Sequence, residues 1–440
     1  MTILQQIKTK WFSGDFVRSL MILVSGTTVA QAIPILISPL LTRLYSPEDF
    51  GVLGLFLALA TTFGTIAGGR YEVALLLPEK EADALNLAAV CLVFACCLSL
   101  LLLLVLLLFF QPIVHLLHLE KIGRWIFLLP FTVFLIGLYN TLNYLNLRDK
   151  QYQTIAGATV YRSLGGALMQ VGAGLLKPGA FGLIGGHVLS NLLGNRKLLS
   201  GLRKHGKSRE FLASVTRTEM RRLGKEYVNF PKYSVWAVLA NTLGQNLNNL
   251  VISTLFSMTT LGFYSLVNRV LGLPTALIGD AIGQVFLKEA RDQKALTGEV
   301  LPIVKTTLLR LLLISLPVFA VLYLVVEDLV ALVFGENWRI AGTYARILAP
   351  LFLVRFVAVP ISLTLNLFDK QRMALLWQIG FLLLVILVSA LAYAYALPVK
   401  AFLHLFAWTL VLHYLLLLYL SVRVSSRQAD AEDKQSHSAF

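Results

Sequence analysis

The stretch that decides the fold is LTRLYSPEDFGVLGLFLALATTFGTIAGGRYEVALLLP, residues Leu41–Pro78. Its centre, from Gly51 to Gly68, contains no charged residue and approaches the roughly 20 residues that a helix needs to span a bilayer. Arg43 precedes this run and Arg70 follows it. A charge at the rim of an apolar helix has to face water, protein or lipid headgroups. We therefore interpret the stretch as a membrane helix with a cation at each end. These cations raise the question of which anion they bind.

The composition of the whole chain is that of a polytopic membrane protein. Hydrophobic residues make up 57% of the 440 residues and charged residues only 14%, whereas a soluble protein carries about 25% charged residues. The first apolar segment has no small-residue cleavage site after it, so we do not expect a removable signal peptide. The three cysteines, Cys91, Cys96 and Cys97, lie in one apolar segment and form neither a disulfide framework nor a metal-binding spacing.

Twelve apolar segments are each long enough to cross a hydrocarbon core of about 30 Å as a helix. They lie near 19–41, 50–68, 85–110, 125–147, 154–175, 180–199, 230–256, 262–287, 303–326, 343–367, 373–396 and 400–422. Twelve spans place both termini on one side, where the connections carry 26 Lys and Arg against 6 on the other. This asymmetry predicts that both termini are cytoplasmic, and it accounts for the net charge of +15 without nucleic-acid binding.

The order of the spans and a short internal repeat predict two similar halves. We divide the chain into an N-terminal six-helix lobe (1–200), a basic cytoplasmic linker (201–228), a C-terminal six-helix lobe (229–423) and a disordered cytoplasmic tail (424–440). The hexapeptide NLRDKQ at 146–151 recurs as NLFDKQ at 366–371, each after the fourth span of its half. Such repeats are related by an axis along the membrane normal and enclose a central cavity. The predicted fold class is an all-α polytopic membrane protein.

A few charges remain inside the predicted spans and define candidate sites. Arg269 and Arg355 are too deep to reach the interface easily, and we expect them to line a wet cavity, because arginine in lipid is costly. Asp280 shares a helical face with Arg269, eleven residues earlier, so an internal ion pair is the alternative. Arg355 lies between Pro350 and Pro360, and helix breakers beside a charge often mark a water-lined site. For Arg162, lining the cavity and snorkelling to the membrane interface are equally good explanations.

Uncharged polar residues also form stripes on the predicted spans. Asn140 and Asn143 share a face of the fourth span, and Gln245 belongs to a stripe on the seventh. These amides suit sugar hydroxyls, and interhelical hydrogen bonds are an equally good explanation. His115 and His118 are three residues apart but have no third ligand in sight, so we expect no metal site. No nucleophile–base pattern is visible, and we expect no enzymatic activity.

Four segments in order, LTRLYSPEDFG, RYEVALLLP, GFYSLVNRVLGLPTALIGDAIGQVF and FGENWRIAGTYARILAPLFLVRF, resemble signature segments of the polysaccharide-transporter family of O-antigen and capsule flippases. That family belongs to the multidrug/oligosaccharidyl-lipid/polysaccharide exporter superfamily. The resemblance implies a V-shaped carrier of twelve helices in two lobes with a central cationic cavity, in the bacterial inner membrane. The implied cargo is an undecaprenyl-diphosphate-linked oligosaccharide, with membrane lipid and a polysaccharide polymerase complex as further partners.

The resemblance gives the candidate residues their roles. Arg43, Arg70, Arg269 and Arg355 would hold the diphosphate, because guanidinium makes paired charge-assisted bonds to phosphate. Arg70 would meet cargo at the cytoplasmic side and Arg43 near the exit. Where relatives often carry an acid in the seventh span, this chain has Asn248-Asn249. No cofactor is expected, and coupling to Na⁺ or H⁺ is left open, with Asp280 as the candidate carboxylate.

Three other functions are weighed against the flippase. A multidrug antiporter of the same fold would need buried acids for organic cations. A membrane polysaccharide polymerase or ligase would need a large extracytoplasmic loop, and the longest such connections here, 111–124 and 327–342, are short. A membrane scaffold without transport activity would not require arginines at mid-depth.

Overall fold

The computed structural model describes residues 14–116, 122–176, 179–204, 206, 211, 213–368 and 370–437, without the side chains of 14–24, 273–277, 280–281, 297, 371 and 427–437. The regular secondary structure of these residues is entirely helical. The α-helices up to the middle of the chain are α1 (Gly14–Leu44), α2 (Pro47–Gly64), α3 (Tyr71–Ala74), α4 (Glu81–Leu116), α5 (Leu128–Arg148), α6 (Tyr152–Leu175), α7 (Ala180–Lys204) and α8 (Arg217–Glu226). A 3₁₀ turn, Gly123–Phe127, leads into α5.

The remaining helices are α9 (Val235–Leu255), α10 (Met258–Val267), α11 (Leu273–Thr297), α12 (Leu301–Phe334), α13 (Arg339–Ser362), α14 (Thr364–Leu367), α15 (Gln371–Ala394) and α16 (Val399–His437). Two π-helical turns interrupt this part: Phe230–Ser234 precedes α9, and Asn268–Gly272 joins α10 to α11. A second 3₁₀ turn, Glu336–Trp338, precedes α13. The backbone of α16 continues into the segment for which the sequence predicts disorder.

Each of the twelve predicted spans overlaps a long helical segment, which confirms the all-α membrane fold. Within the described residues, seven helical segments are long and apolar enough to cross a membrane: Ser25–Leu44, Glu81–His115, Gly123–Arg148, Leu301–Phe334, Glu336–Leu367, Arg372–Ala394 and Val399–Ser426. Large apolar side chains such as Leu107 and Leu324 are more than half exposed on these helices. Such surfaces suit contact with acyl chains.

The start of α2 shows how local sequence places a helix end. Ser46 Oγ accepts a hydrogen bond from Asp49 N at 3.2 Å, and the Asp49 carboxylate accepts one from Ser46 N at 2.9 Å. This capping box, with Pro47 in the first turn, begins the helix. The two bracketing arginines do not lie on α2 itself, because Arg43 is in the last turn of α1 and Arg70 follows a tight turn after Gly64.

Small residues let the helices of the first half approach closely. A Cβ on Gly186 of α7 would lie 2.4 Å from Gln170 Cγ and 3.0 Å from the carbonyl oxygen of Gly166 on α6. A Cβ on Gly26 of α1 would lie 2.6 Å from Ala156 Cβ of α6. Because lipid removes the hydrophobic force between helices, close van der Waals contact at such positions holds the helices together.

The contacts divide the chain into two compact units, Met1–Leu261 and Gly262–Phe440. The first has a buried cluster that includes Leu85, Leu142 and Leu198, and the second has one that includes Phe286 and Phe356. The sequence assigns α9 to the C-terminal lobe, but α9 packs on α2 and therefore belongs to the first unit. The division into lobes of six helices stays a prediction.

Candidate functional site

Arg70 stands at a sharp change of chain direction between α2 and α4. Gly69 and Arg70 both have left-handed backbone conformations, with φ of 64° and 62°. Glycine adopts this region freely, but an arginine there costs about 1 kcal/mol. The turn ends the helical path of α2 and starts the short helix α3 directly after Arg70.

Arg70 is paired with an acid that the sequence analysis did not consider. Its Nη1 lies 3.3 Å from Glu72 Oε1, and the exposed fractions of the two side chains are 23% and 1%. Glu72 Oε2 and Arg70 Nε are buried with no hydrogen-bond partner among the described residues. Burial raises the pKa of the Glu72 carboxyl, and the backbone and Arg70 counter only part of this effect. The cation expected to meet cargo thus already contacts a poorly satisfied carboxyl group.

The surroundings of Glu72 are apolar or weakly polar. A Cβ on Gly68 would lie 2.6 Å from Glu72 Oε2 and 3.7 Å from Cys91 Cβ, so the carboxylate fills the space that a side chain at position 68 would take. Cys91 of α4 is fully buried, and the Thr141 hydroxyl of α5 donates to the carbonyl oxygen of Gly137 at 2.9 Å. Glu72 could have been singled out from the sequence, because it stands two residues after Arg70 in RYEVALLLP.

Arg162 of α6 contacts an aromatic ring on α5. Its guanidinium carbon lies 4.7 Å from the centroid of the Tyr139 ring, a cation–π geometry. Asn143 follows one turn after Tyr139 on α5, and its Oδ1 is buried without a partner in the described part of the chain. Asn140 is partly exposed beside Tyr139. The structure therefore places Arg162 against Tyr139, an aromatic residue that the sequence analysis did not single out.

Arg43 and Gln245 also lie in the first unit. Arg43 is exposed in the last turn of α1, and the described residues offer it no carboxylate within salt-bridge distance. Gln245 of α9 is exposed and donates a hydrogen bond from Nε2 to Asn241 Oδ1 at 3.0 Å. The residue of α9 that reaches α2 is Asn246, whose Nδ2 lies 3.2 Å from Thr61 Oγ1 and 3.3 Å from Thr62 Oγ1. The stripe predicted on the seventh span is therefore partly an interhelical contact.

Arg269 and Arg355 lie in the second unit. Arg269 is in the π-helical turn Asn268–Gly272, and π turns are frequent at functional positions because they change the side-chain register of a helix. Arg355 is exposed on α13, which contains both Pro350 and Pro360. Neither guanidinium has a carboxylate partner among the described side chains. The side chain of Asp280 lies outside the described residues, so the predicted pair with Arg269 stays a prediction.

Two other arginines of the second unit are paired with acids. Arg346 Nη1 lies 3.2 Å from Glu327 Oε1, and its Nε donates to the carbonyl oxygen of Tyr323 at 3.1 Å. Arg339, at the start of α13, pairs with Asp328 and Glu336. The described residues contain no group of three metal-binding side chains, and His118 lies outside them.

Comparison with known proteins identifies the family. A family model described as polysaccharide biosynthesis protein matches residues 40–342, well over half of the chain. The chain belongs to this family. The chain is also similar to the teichuronic acid biosynthesis protein TuaB of Bacillus subtilis (strain 168), with 26% identity over 164 residues. The aligned part covers 36% of this chain and 33% of the relative, so it spans about a third of TuaB.

Solved structures identify the fold of this polysaccharide biosynthesis protein. A multidrug resistance MATE family transporter of the MOP superfamily, in an inward-facing conformation, matches with a TM-score of 0.65 and 16% identity, covering 96% of this chain and 99% of that one. The lipid II flippase MurJ, in an inward closed conformation, matches with a TM-score of 0.65 and 13% identity, covering 96% and 93%. The chain therefore shares the fold of these two transporters, as the sequence resemblance implies.

Proposed function

We propose that this protein is a flippase for undecaprenyl-diphosphate-linked oligosaccharides in a bacterial inner membrane. It would turn its cargo from the inner to the outer leaflet by alternating access, for the synthesis of O-antigen, capsule or exopolysaccharide. Membership of the polysaccharide biosynthesis family and the fold shared with a lipid II flippase support a transporter of this kind. The cargo combines an anionic diphosphate, polar sugars and a lipid tail, and each part needs a different surface.

The observation that carries the proposal is the set of arginines without carboxylate partners. Arg355 is exposed on a membrane helix, Arg269 sits in a π turn, and the described side chains offer neither of them a neutralising acid. A cation kept in a membrane segment is expensive unless an anion or water compensates it. A diphosphate does so well, because the guanidinium fork makes paired bonds to phosphate oxygens.

Several finer features belong to the same proposal. We expect both termini to be cytoplasmic, and we expect membrane lipid and a polysaccharide polymerase complex as partners. Arg43 and Arg162 would contact the headgroup, and Asn140, Asn143 and Gln245 would contact sugar hydroxyls. The driving ion, Na⁺ or H⁺, is a separate part of the mechanism, for which Asp280 remains a candidate.

The test is complementation of a flippase-null strain with a defined repeat unit, followed by measurement of exported polysaccharide and of lipid-linked intermediates in each leaflet. We expect Arg269→Ala and Arg355→Ala each to lower export at least about tenfold, since each removes charge-assisted bonds worth roughly 1.5–3 kcal/mol. Lipid-linked intermediates should accumulate in the inner leaflet while the protein still inserts. Arg355→Lys should retain part of the activity, because it keeps the charge but loses the fork.

Arg339→Ala is the matched control, because Arg339 is an arginine on the same helix as Arg355 but pairs with exposed acids. Exposed pairs contribute little, so this variant should export normally. Normal export by both Arg269→Ala and Arg355→Ala would contradict the proposed role of these cations.

The multidrug antiporter is the alternative with the same fold. It predicts resistance to cationic drugs in cells that express the protein and no change in lipid-linked intermediates. The polymerase or ligase alternative predicts a change in polysaccharide chain length, with repeat units still reaching the outer leaflet. The leaflet measurement therefore separates the three functions.

A further inference from the structure

Glu72 is a buried carboxyl group that the proposed transport cycle has not used so far. Its side chain is 1% exposed, and its polar contacts in the described residues are the backbone of Glu72 itself and Arg70 Nη1, which approaches Oε1 to 3.3 Å. The other oxygen, Oε2, lies against Gly68 and has no hydrogen-bond partner in the part of the chain that the structure describes. An ionised carboxylate offers about four acceptor sites, so this environment satisfies the charged form poorly.

Among the described residues, Arg70 is the cation that acts on the carboxyl group of Glu72. From α4 the facing titratable group is Cys91. Helix α8 reaches this turn through the hydrogen bond from Tyr71 to the carbonyl oxygen of Gly224, and its cations Arg221, Arg222 and Lys225 are exposed. The other cation of α5 in this region, Arg148, is engaged with the carbonyl oxygen of Leu75 at 2.9 Å and with Glu81 at 3.3 Å. Lys232, in the π turn that contacts α3, is exposed and lies over the Tyr233 ring.

Arg70 therefore has two possible partners, the carboxyl group of Glu72 and an anion from outside. Its side chain is 23% exposed, whereas Glu72 is enclosed, so the guanidinium lies between the buried acid and the surroundings of the protein. Arg70 has a left-handed backbone conformation directly before the short helix α3, which contains Glu72, so the two residues share one turn of the chain. A negative Glu72 reduces the attraction of Arg70 for a phosphate, and a neutral Glu72 does not.

We propose that Glu72 is a proton-binding site whose protonation releases Arg70 to bind the diphosphate group of the cargo. The identity of the anion rests on the proposed function. The proton from the solvent adds to a carboxyl oxygen, Arg70 keeps its own proton, and the charge of the pair changes from zero to +1. The arriving diphosphate compensates this charge, so anion binding and proton uptake favour each other. Burial, which raises the pKa of Glu72, favours the protonated form.

The linkage has a defined sign. Below the pKa of Glu72 in the free protein the carboxyl is already neutral, and pH does not affect binding through this group. As the pH rises above that pKa, each binding event requires one proton, so the affinity for the diphosphate falls by up to about tenfold per pH unit. Glu72→Gln is neutral at all pH values and should remove this dependence.

The experiment measures the affinity of the purified full chain in lipid nanodiscs for farnesyl diphosphate between pH 5 and pH 8. The probe has its own phosphate ionisation, so the informative quantity is the difference in pH dependence between the wild type and Glu72→Gln. We expect the wild type to lose affinity with rising pH more steeply than Glu72→Gln, and Glu72→Gln to bind more tightly than the wild type at pH 8. Glu81→Gln removes a partly exposed carboxyl that is paired with Arg148. This variant should keep the wild-type slope, that is, the change in affinity for farnesyl diphosphate per pH unit.

Equal slopes for the wild type and Glu72→Gln would overturn the proton-binding site but leave the flippase proposal intact, because export by the Arg269 and Arg355 variants tests that separately. A wild type that does not bind the probe would overturn the role of Arg70 as well. If Glu72→Gln does not fold, Gly68→Ala displaces the same carboxyl group and must then change the slope, and an unchanged slope in a folded Gly68→Ala protein would contradict the proposal.

Discussion

At the scale of single residues, Gly342 shows how strictly a membrane helix pair can depend on one missing side chain. A Cβ at this position of α13 would lie 2.6 Å from Glu327 Cα and 3.1 Å from the carbonyl oxygen of Val326, both in the backbone of α12. Backbone atoms cannot rotate away as a side chain can. The same close approach lets Arg346 of α13 reach Glu327 of α12.

We expect Gly342→Ala to destabilise the protein by about 1–3 kcal/mol, because the helices must separate to admit the methyl group. The measurement is thermal unfolding in detergent, with the loss of monodisperse protein as the readout. Gly172→Ala is the matched control, since a Cβ on Gly172 of α6 would meet nothing within 4 Å. Alanine is the better helix former, so this control should be neutral or slightly stabilising. Equal stability of the two variants would contradict the close-packing argument.

At the scale of elements, the linker between the predicted lobes contains the amphipathic helix α8, which is docked on the first unit. Asn86 of α4 donates from Nδ2 to the carbonyl oxygen of Ser214 and accepts from Thr216 N, both at 2.9 Å. Tyr71 Oη donates to the carbonyl oxygen of Gly224 at 2.7 Å, and Leu223 is buried in the cluster below. The helix thus contacts the same turn that carries Arg70 and Glu72.

Asn86→Leu should loosen α8, because it removes two buried hydrogen bonds and leaves their backbone partners unsatisfied. A loss of about 2 kcal/mol increases the undocked population roughly thirtyfold. Trypsin cleavage after Arg217 and Arg221, followed by mass spectrometry, reports this population. Arg222→Gln is the control. Arg222 makes three ion pairs on the exposed surface, and such pairs contribute little stability. We therefore expect this variant to be cleaved after Arg217 and Arg221 at nearly the wild-type rate. Unchanged cleavage in Asn86→Leu would show that Leu223 and Tyr71 hold the helix without it.

At the scale of the whole molecule, the long helices follow the twelve predicted spans in order. The predicted spans match the helices because a long apolar segment in a membrane has to be helical, so that its backbone polar groups are satisfied within the segment. The repeated hexapeptides lie at corresponding places: the first begins in the last turn of α5 and ends just before α6, and the second begins in α14 and ends at the first residue of α15. The asymmetry of Lys and Arg in the connections predicts the orientation of the helices in the membrane.

Reporter fusions test the predicted orientation in the membrane. Alkaline phosphatase joined after Gly206 should be inactive and green fluorescent protein at the same position fluorescent, because the connection between α7 and α8 is predicted to be cytoplasmic. Fusions after Ala396, between α15 and α16, should give the opposite pair of results. The same result at both positions would contradict a twelve-span topology, since an odd number of spans separates the two sites in that arrangement.

What the sequence alone determined is the membrane class, the order of the helices and the family, because these depend on apolar length, charge in the connections and ordered motifs. Those properties are local along the chain and need no knowledge of neighbours. The tertiary structure decided which polar groups are partnered. It paired Arg70 with Glu72, placed Tyr139 under Arg162, and packed α9 on α2, although the sequence assigned that helix to the other lobe. Such contacts join residues on different helices or across a left-handed turn, and the energy that selects them comes from packing and hydrogen bonding in three dimensions.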